Sequence, residues 1–257
     1  MSIIHFTTEL SGGAGGFVLN LHKAMINSGR PSLVLCRERS NIDGTVLLHP
    51  VSRLYRVLRS GILNILYRAK LLNSKYYMFG IEKCPVTINC IKKVLLNHEP
   101  KLFIFYWISY FIDFKTIKQL KEAYPNVPII FNCLDESLIT GGCHYSNGCI
   151  EFYDSCSNCP GTKVPLLQQL VERNFSNRQL LVKDIDPIIV YPSTNLSSMG
   201  AASSLLKELK SKVIPLGAVS QFEQKLLLSQ SKYKNKFKSV KNDKVTLLVR
   251  SSSDSRK

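Results

Sequence analysis

The chain has 257 residues, of which 45% are hydrophobic and 20% are charged, a balance that excludes a disordered protein and predicts one large folded domain or two smaller ones. It contains no apolar run of roughly 18 residues or more and no basic segment ahead of an apolar N-terminal run, so neither a transmembrane helix nor a signal peptide is predicted. We therefore expect a cytoplasmic protein. Its net charge of +16 calls for an anionic partner, which could be nucleic acid, an acidic membrane surface or a phosphorylated substrate.

The first 36 residues predict a strand, a glycine-rich turn, a helix and a second strand. Apolar runs at 3–6 and 32–36 predict the strands, and Gly29 is expected to end the helix between them. The turn contains four glycines: Gly12, Gly13, Gly15 and Gly16. Glycines let a backbone approach a ligand closely, and a helix N-terminus favours an anion such as phosphate, but the same glycines could simply serve a turn that needs positive φ.

A basic amphipathic helix is predicted at 51–70. No acidic residue occurs between Asp43 and Glu82, while arginines and lysines alternate with apolar residues at helical spacing. Such a helix could attach the protein to an anionic membrane leaflet, or it could be a surface helix whose apolar face belongs to the core.

Helices and strands alternate through most of the remaining chain. Helices are predicted at 91–97, 114–124, 166–174 and 201–209, strands at 102–108, 128–131 and 187–191, and a strand with a turn at 213–217. This alternation predicts an α/β fold, a Rossmann-like parallel sheet with helices on both faces and right-handed crossovers.

The last 37 residues differ in composition from the rest. The segment 221–244 is polar and rich in lysine, as a linker would be, and 245–249 has the pattern of one more strand. We therefore expect a first domain at 1–220, and at 221–257 a linker with the first strand of a second domain that is otherwise missing.

Four of the eight cysteines lie close together, at Cys143, Cys149, Cys156 and Cys159. One pair has the two-residue separation that zinc sites favour, and His144 could substitute as a ligand. The cluster predicts a structural zinc site, with packed reduced thiols or redox chemistry as alternatives. The other four cysteines are expected to be small core residues.

The same segment carries a resemblance to a known family. Asp135, the run TGGCHY at 140–145, Cys149, Tyr153, Cys156 and the pair Cys159-Pro160 resemble the cysteine-rich segment of a bacterial subset of family 4 glycosyltransferases, similar to colanic-acid and other polysaccharide-assembly enzymes. Further matches are the glycine turn at 11–16, Trp107, the strand end at 191–193 and the turn at 214–217.

The resemblance implies a GT-B fold, in which two Rossmann-like domains face each other across a cleft. The N-terminal domain would hold the acceptor and the absent C-terminal domain the nucleotide sugar, so this chain would be an incomplete enzyme. The implied reaction is retaining sugar transfer without a cofactor for catalysis, from a nucleotide-sugar donor to a polysaccharide or lipid-linked acceptor.

The resemblance also assigns roles to residues. The four turn glycines would lie beside the donor phosphates or the acceptor, Thr140, Gly141 and His144 would contact substrate, and Asp135 would face the cleft as the catalytic candidate. As a carboxylate after a strand, Asp135 could orient an acceptor hydroxyl or act as a base, or it could only cap the next turn. Leu134 and Ser137 stand where the family usually has histidine and tryptophan.

A rival hypothesis is a non-catalytic, basic, metal-stabilised module that binds an anionic glycan or nucleic acid. The net charge of +16 favours it. Nucleic acid is the least expected partner, because the basic residues are not interleaved with aromatic residues in an RNA-binding pattern. A truncation product without a function of its own is the third reading.

Overall fold

The computed structural model of the chain describes residues 1–48, 53–76 and 84–215. The described residues up to 215 belong to one compact unit. The predicted linker and final strand at 221–257, the domain boundary at 220 and the turn at 216–217 lie outside the described residues.

Seven parallel strands form a single sheet. They are β1 (Ser2–Phe6), β2 (Ser32–Cys36), β3 (Thr45–Leu47), β4 (Pro100–Phe105), β5 (Ile129–Asn132), β6 (Ile188–Tyr191) and β7 (Ser211–Val213). The spatial order is β3-β2-β1-β4-β5-β6-β7, and every neighbouring pair is parallel. The predicted α/β class with a Rossmann-like sheet is therefore confirmed. The order reverses between β1 and β4, which is the topological switch point of the sheet.

Six α-helices connect these strands in the described ranges. They are α1 (Gly12–Asn27), α2 (Arg53–Arg68), α3 (Ile88–Leu95), α4 (Phe114–Ala123), α5 (Pro165–Ile185) and α6 (Thr194–Ala202). Short 3₁₀ turns occur at Ser74–Tyr76, Glu136–Leu138 and Glu151–Tyr153.

Helices cover both faces of the sheet because side chains alternate along each strand. Phe6 of β1 and Phe105 of β4 stack at 4.4 Å in a large apolar cluster that α3, α4 and α5 cover. The residues next to them, including Tyr106, point to the opposite face, where a smaller cluster packs against Val18 of α1. Fully buried phenylalanines of this kind typically contribute about 3–5 kcal/mol each when measured by truncation to alanine.

Several predicted elements differ from the structure, among them the strand predicted to start at 213, which ends there as β7. The helix predicted at 201–209 is wrong: the helix lies earlier, at α6, where the Ser193 hydroxyl caps it by accepting the Leu196 amide at 3.3 Å. Leu205 and Leu206 are buried in turns, so their apolar spacing imitated a helix. Helix α5 also runs eleven residues past its predicted end at 174, to Ile185, where Asp186 adopts a left-handed conformation with φ +46°. The three-residue strand β3 was not predicted.

The predicted basic helix exists as α2, and part of its apolar face belongs to the core, as one of the two alternatives expected. Leu63, Leu66 and Tyr67 are partly buried and pack against the core. On another side of the helix four apolar side chains are between 57% and 67% exposed: Val57, Leu58, Ile62 and Ile65.

Candidate functional site

The predicted site residues meet at the carboxyl ends of the central strands. The glycine turn follows β1, Trp107 follows β4 and Asp135 follows β5. In open α/β sheets, ligands bind in the crevice outside these strand ends, at the switch point. Here that point lies between β1 and β4.

Thr8 ties the two loops at the switch point together. Its amide donates to the carbonyl oxygen of Trp107 at 2.7 Å. Its hydroxyl lies 2.9 Å from the same oxygen and 2.8 Å from the carbonyl oxygen of Ser109. Because Thr8 is almost fully buried, these bonds hold the loop after β4 against the loop after β1.

Glu38, which the sequence did not single out, binds the start of the glycine turn. One carboxylate oxygen accepts the amides of Leu10 at 2.7 Å and Ser11 at 3.2 Å, and the other accepts the Ser11 hydroxyl at 3.3 Å. An internal anion therefore occupies two of the amides near the N-terminus of α1. The available signal was an acidic residue just after β2, a place where Rossmann-like folds commonly use one.

The four glycines that were predicted to form a turn before the helix lie in the first residues of α1 itself, and they serve different purposes. Gly12 has φ +72°, and a Cβ on Gly15 would lie 2.3 Å from the backbone carbon of Leu10. Both therefore require glycine for the backbone itself. A Cβ on Gly12, Gly13 or Gly16 would meet nothing within 4 Å. Of these three, Gly13 and Gly16 have open space without a positive φ.

Trp107, His144 and Asp135 form a hydrogen-bonded chain. The indole N–H of Trp107 donates to Nε2 of His144 at 3.0 Å, and Nδ1 of His144 lies 2.6 Å from Oδ2 of Asp135. Since an indole can only donate, Nε2 is the acceptor and Nδ1 carries the proton that is donated to Asp135. A neutral imidazole satisfies both bonds, and a protonated one would lose the bond from Trp107.

Asp135 is anchored through both carboxylate oxygens. Oδ1 accepts the amide of Ser137 at 2.8 Å and caps the turn at 136–138, while Oδ2 accepts from His144. Burial acts to raise the pKa of Asp135, but the hydrogen bonds from His144 and Ser137 outweigh it and hold the pKa below its ordinary value. The capping geometry considered from the sequence is thus present, and it coexists with a carboxylate that stays ionised and orients His144.

Thr140 and Gly141 lie in the interior of the segment that carries His144. The Thr140 hydroxyl donates to the carbonyl oxygen of Cys143 at 2.7 Å. A Cβ on Gly141 would lie 2.8 Å from a methyl group of Val171. In this structure the two residues shape the loop and pack it on α5, while His144 is the member of the predicted substrate-binding set that reaches Asp135.

Arg178 is a buried cation that sequence reasoning missed. Its guanidinium donates to the carbonyl oxygens of Ser137 at 2.7 Å and Thr140 at 3.0 Å, and it lies 5.2 Å from the centre of the Phe114 ring. Burial lowers its pKa. The sequence offered one sign of this role, because Arg178 stands at a core-facing position of an amphipathic helix. Arginines are rarely buried unless they have partners.

The four clustered cysteines line one small cavity of about 20 Å³. No disulfide joins any of the chain's eight cysteines, all of which lie in the described ranges. Burial raises the pKa of the Cys143 and Cys156 thiols to about 12. Across residues 1–48, 53–76 and 84–215, no three His, Cys, Asp or Glu side chains are already arranged to hold a metal ion. The thiols therefore surround a common space without converging on its centre. Of the other four cysteines, Cys36 and Cys133 are buried as expected, whereas Cys84 and Cys90 are partly exposed.

A larger cavity of about 1020 Å³ opens between α4 and α5. Its lining includes Ser109, Asp113, Lys118 and Arg178, but not Asp135, His144 or the glycine turn. Size alone would favour it as a ligand site. The polar groups aligned at the strand ends are the stronger indication of chemistry, and they lie elsewhere.

Comparison with known proteins identifies no family. No family model and no curated protein matches the chain. Among solved structures it is similar to a UGT transferase from Siraitia grosvenorii in complex with UDP, with 9% sequence identity and a TM-score of 0.38 over 90% of this chain and 53% of the other. The chain thus spans about half the length of that protein. At this level the match adds no argument, and the α/β assignment rests on the strand order itself.

Proposed function

We propose that this chain is the acceptor-side domain of a retaining, nucleotide-sugar-dependent glycosyltransferase that acts in polysaccharide or glycolipid assembly. The observation that carries the proposal is the Trp107–His144–Asp135 chain, whose Trp107 and Asp135 follow β4 and β5 and whose Trp107 is bonded to Thr8 in the loop after β1. The sequence resemblance of 140–160 to family 4 glycosyltransferases supports the same reaction class.

In the proposed reaction the acceptor hydroxyl oxygen bonds to the anomeric carbon of the sugar, and the bond from that carbon to the diphosphate breaks. The nucleoside diphosphate departs with the former glycosidic oxygen, and the proton of the acceptor hydroxyl passes to a phosphate oxygen of this leaving group. Gly13 and Gly16 leave space for a phosphate or sugar group at the start of α1. The reaction as proposed requires no metal or cofactor.

His144 is the residue proposed to hold the acceptor hydroxyl. Asp135 keeps its proton on Nδ1, so the lone pair on Nε2 is available to any donor that replaces the Trp107 N–H. An acceptor hydroxyl in that position would be oriented and made more nucleophilic. Asp135 acts through His144 and is a positioning residue in this scheme.

A peripheral location on the cytoplasmic leaflet is part of the proposal, because a lipid-linked acceptor would be found there. The exposed apolar residues of α2, among basic residues and without acidic ones, support it. No helix in the described ranges is long and apolar enough to span a bilayer.

Ligand binding to the purified chain is the primary test. Trp107 is the chain's only tryptophan, so its fluorescence reports directly on the site. We expect UDP, GDP or an isoprenyl-phosphate-linked sugar to change this fluorescence saturably. His144→Asn should weaken acceptor binding at least about tenfold, because it removes one well-formed hydrogen bond in a buried site. The matched control is His98→Asn, which alters a half-exposed histidine before β4 and should bind normally.

Turnover is the second test. As an acceptor-side domain, the chain by itself should release no nucleoside diphosphate from UDP-, GDP- and dTDP-hexoses, even with the acceptor present. Turnover by the chain alone would contradict the acceptor-side assignment, and absence of acceptor binding across the panel would overturn the proposal.

A second function, a non-catalytic binder of an anionic glycan, is favoured by one observation. Both oxygens of Asp135 and both ring nitrogens of His144 are engaged within the protein. A chain of this kind would bind a sulfated or phosphorylated glycan with strong salt dependence because of its +16 charge. Such binding, unchanged in His144→Asn, would select this function over the first.

A further inference from the structure

Four cysteines of the loop that carries His144 lie around one cavity. Cys143, Cys149, Cys156 and Cys159 all line the same cavity, together with Gly141 and Phe152. The cavity volume of about 20 Å³ is close to the space that one water-sized particle occupies. The four residues span 17 positions of a segment whose only regular structure is one 3₁₀ turn.

Backbone amides lie beside three of the four sulfur atoms. The amide of Gly141 donates to Cys156 at 3.3 Å. The amide of Glu151 approaches Cys149, and the amides of Gly161 and Thr162 approach Cys159. These amides hold the backbone close to the sulfur atoms of three cysteines that line one cavity.

The spacing of these donors is regular. Glu151 follows Cys149 by two residues, and Gly161 and Thr162 follow Cys159 by two and three. In both places the chain turns back after the cysteine, so that its next amides lie beside the sulfur. Both cysteines line the shared cavity.

We propose that these four cysteines bind one structural zinc ion at the centre of the cavity. Tetrahedral coordination requires the four thiolates to lie about 2.3 Å from the metal. A cysteine side chain reorients by rotation about a single bond, and that rotation is the movement that closes the ring of sulfur atoms around the ion. The positive ion also removes the repulsion that four thiolates in one small apolar cavity would otherwise have.

The zinc ion would fix the position of His144. Cys143 directly precedes His144 in the chain, and Gly141 contacts both Val171 of α5 and Cys156. A loop closed by the metal at four points holds the imidazole between Trp107 and Asp135. This inference stands independently of the sugar-transfer proposal, since a binding protein would need the same brace.

Metal content is the first test. Protein purified without chelators and without a polyhistidine tag should contain about one zinc per chain, because four thiolates complete one tetrahedral site. Cys159→Ser should lower the zinc content at least severalfold. Cys90→Ser is the matched control: Cys90 lies on α3, half-exposed and 3.4 Å from the Thr87 hydroxyl, and its replacement should leave the zinc content unchanged.

A measurement on the unaltered protein keeps the proposal testable if the variants fail to fold. Replacement of the metal by Co²⁺ should produce the strong thiolate-to-metal absorption of a tetrahedral sulfur site. A chelator should lower the thermal unfolding temperature and change the fluorescence of Trp107, through the contact with His144. A zinc content near zero, with all eight cysteines reactive as thiols after denaturation, would overturn the proposal. A mass two hydrogens lower per cysteine pair would identify disulfides and would overturn it as well.

Discussion

His5 is the residue whose charge state depends most clearly on the fold. It is fully buried in β1, with Nδ1 2.9 Å from the Tyr106 hydroxyl, and its Nε2 has no hydrogen-bond partner among the described residues. Burial, assisted by the nearby His22, lowers the pKa of His5 from 6.5 to about 4. Protonation of this histidine therefore opposes folding.

We predict that His5 makes the protein sensitive to mild acid. Between pH 6.5 and about 4 the unfolded chain binds a proton at this position that the folded chain does not, so its contribution is intact above pH 6.5 and is lost as the pH falls to about 4. The contribution over this interval is of order 3 kcal/mol. Urea unfolding at several pH values should show a smaller loss of stability in His5→Gln than in the wild type.

The control for this experiment is His98→Gln, which alters a half-exposed histidine. It should keep the wild-type dependence on pH. If His5→Gln and the wild type lost stability equally between pH 6.5 and 4, the assignment to His5 would be wrong.

At the scale of elements, two neighbouring glycines that look identical in the sequence differ in whether the structure has room for a side chain. Gly15 packs directly on the backbone of Leu10 and Glu9, while Gly16 faces open space one residue later on the same helix. A glycine in a helix interior is less stable than alanine by roughly 1 kcal/mol unless contact forbids a side chain.

We predict opposite effects for the two alanine substitutions. Gly15→Ala forces a methyl group against main-chain atoms 2.3–2.7 Å away and should lower the free energy of unfolding by about 1–3 kcal/mol. Gly16→Ala should raise it by up to about 1 kcal/mol. Chemical denaturation of both variants measures the difference. Equal changes of the same sign would contradict the geometry of the turn.

Gly16→Ala also separates stability from function. If the open space at Gly16 accommodates a ligand, this variant should be as stable as the wild type, or more stable, and should bind the ligand less tightly. Unchanged binding would assign the glycine to the turn alone.

At the scale of the whole molecule, charge and α2 together predict membrane attachment. The chain carries a net charge of +16, and α2 exposes Ile62 and Ile65 to more than half of their full extent. Basic residues near an anionic bilayer contribute about 1 kcal/mol each, and each buried isoleucine side chain contributes about 1.5–3 kcal/mol.

We predict that the protein floats with vesicles that contain roughly a third phosphatidylglycerol at low salt, and that high salt weakens the association. The double variant Ile62→Asp/Ile65→Asp should reduce binding by at least about tenfold. Leu180→Asp, which alters a residue of α5 with 71% exposure, is the control and should still bind. Equal flotation of all three proteins would assign binding to overall charge and not to α2.

Most of the architecture could be read from local patterns. The strands around Phe6, Leu35, Phe105 and Phe131 are buried on both faces, and such strands appear as apolar runs that need no knowledge of their neighbours. The error at 201–209 has the same origin. Leu205 and Leu206 are buried in a turn, and buried turn residues can show the same apolar spacing as the buried face of a helix. The capping serine at 193 was the local sign of where the helix begins.

The sequence by itself determined the class of the fold, the edge of the sheet at which a site belongs, and the four thiols that could share one ion. These follow from periodicity and spacing, which are properties of short stretches. Only the tertiary structure decided that His144 returns to Asp135 and Trp107, that Glu38 binds the glycine turn, and that Thr140 and Gly141 face inward. Those arrangements depend on how separate loops meet at one edge of the sheet, and no local pattern records the packing that brings them together.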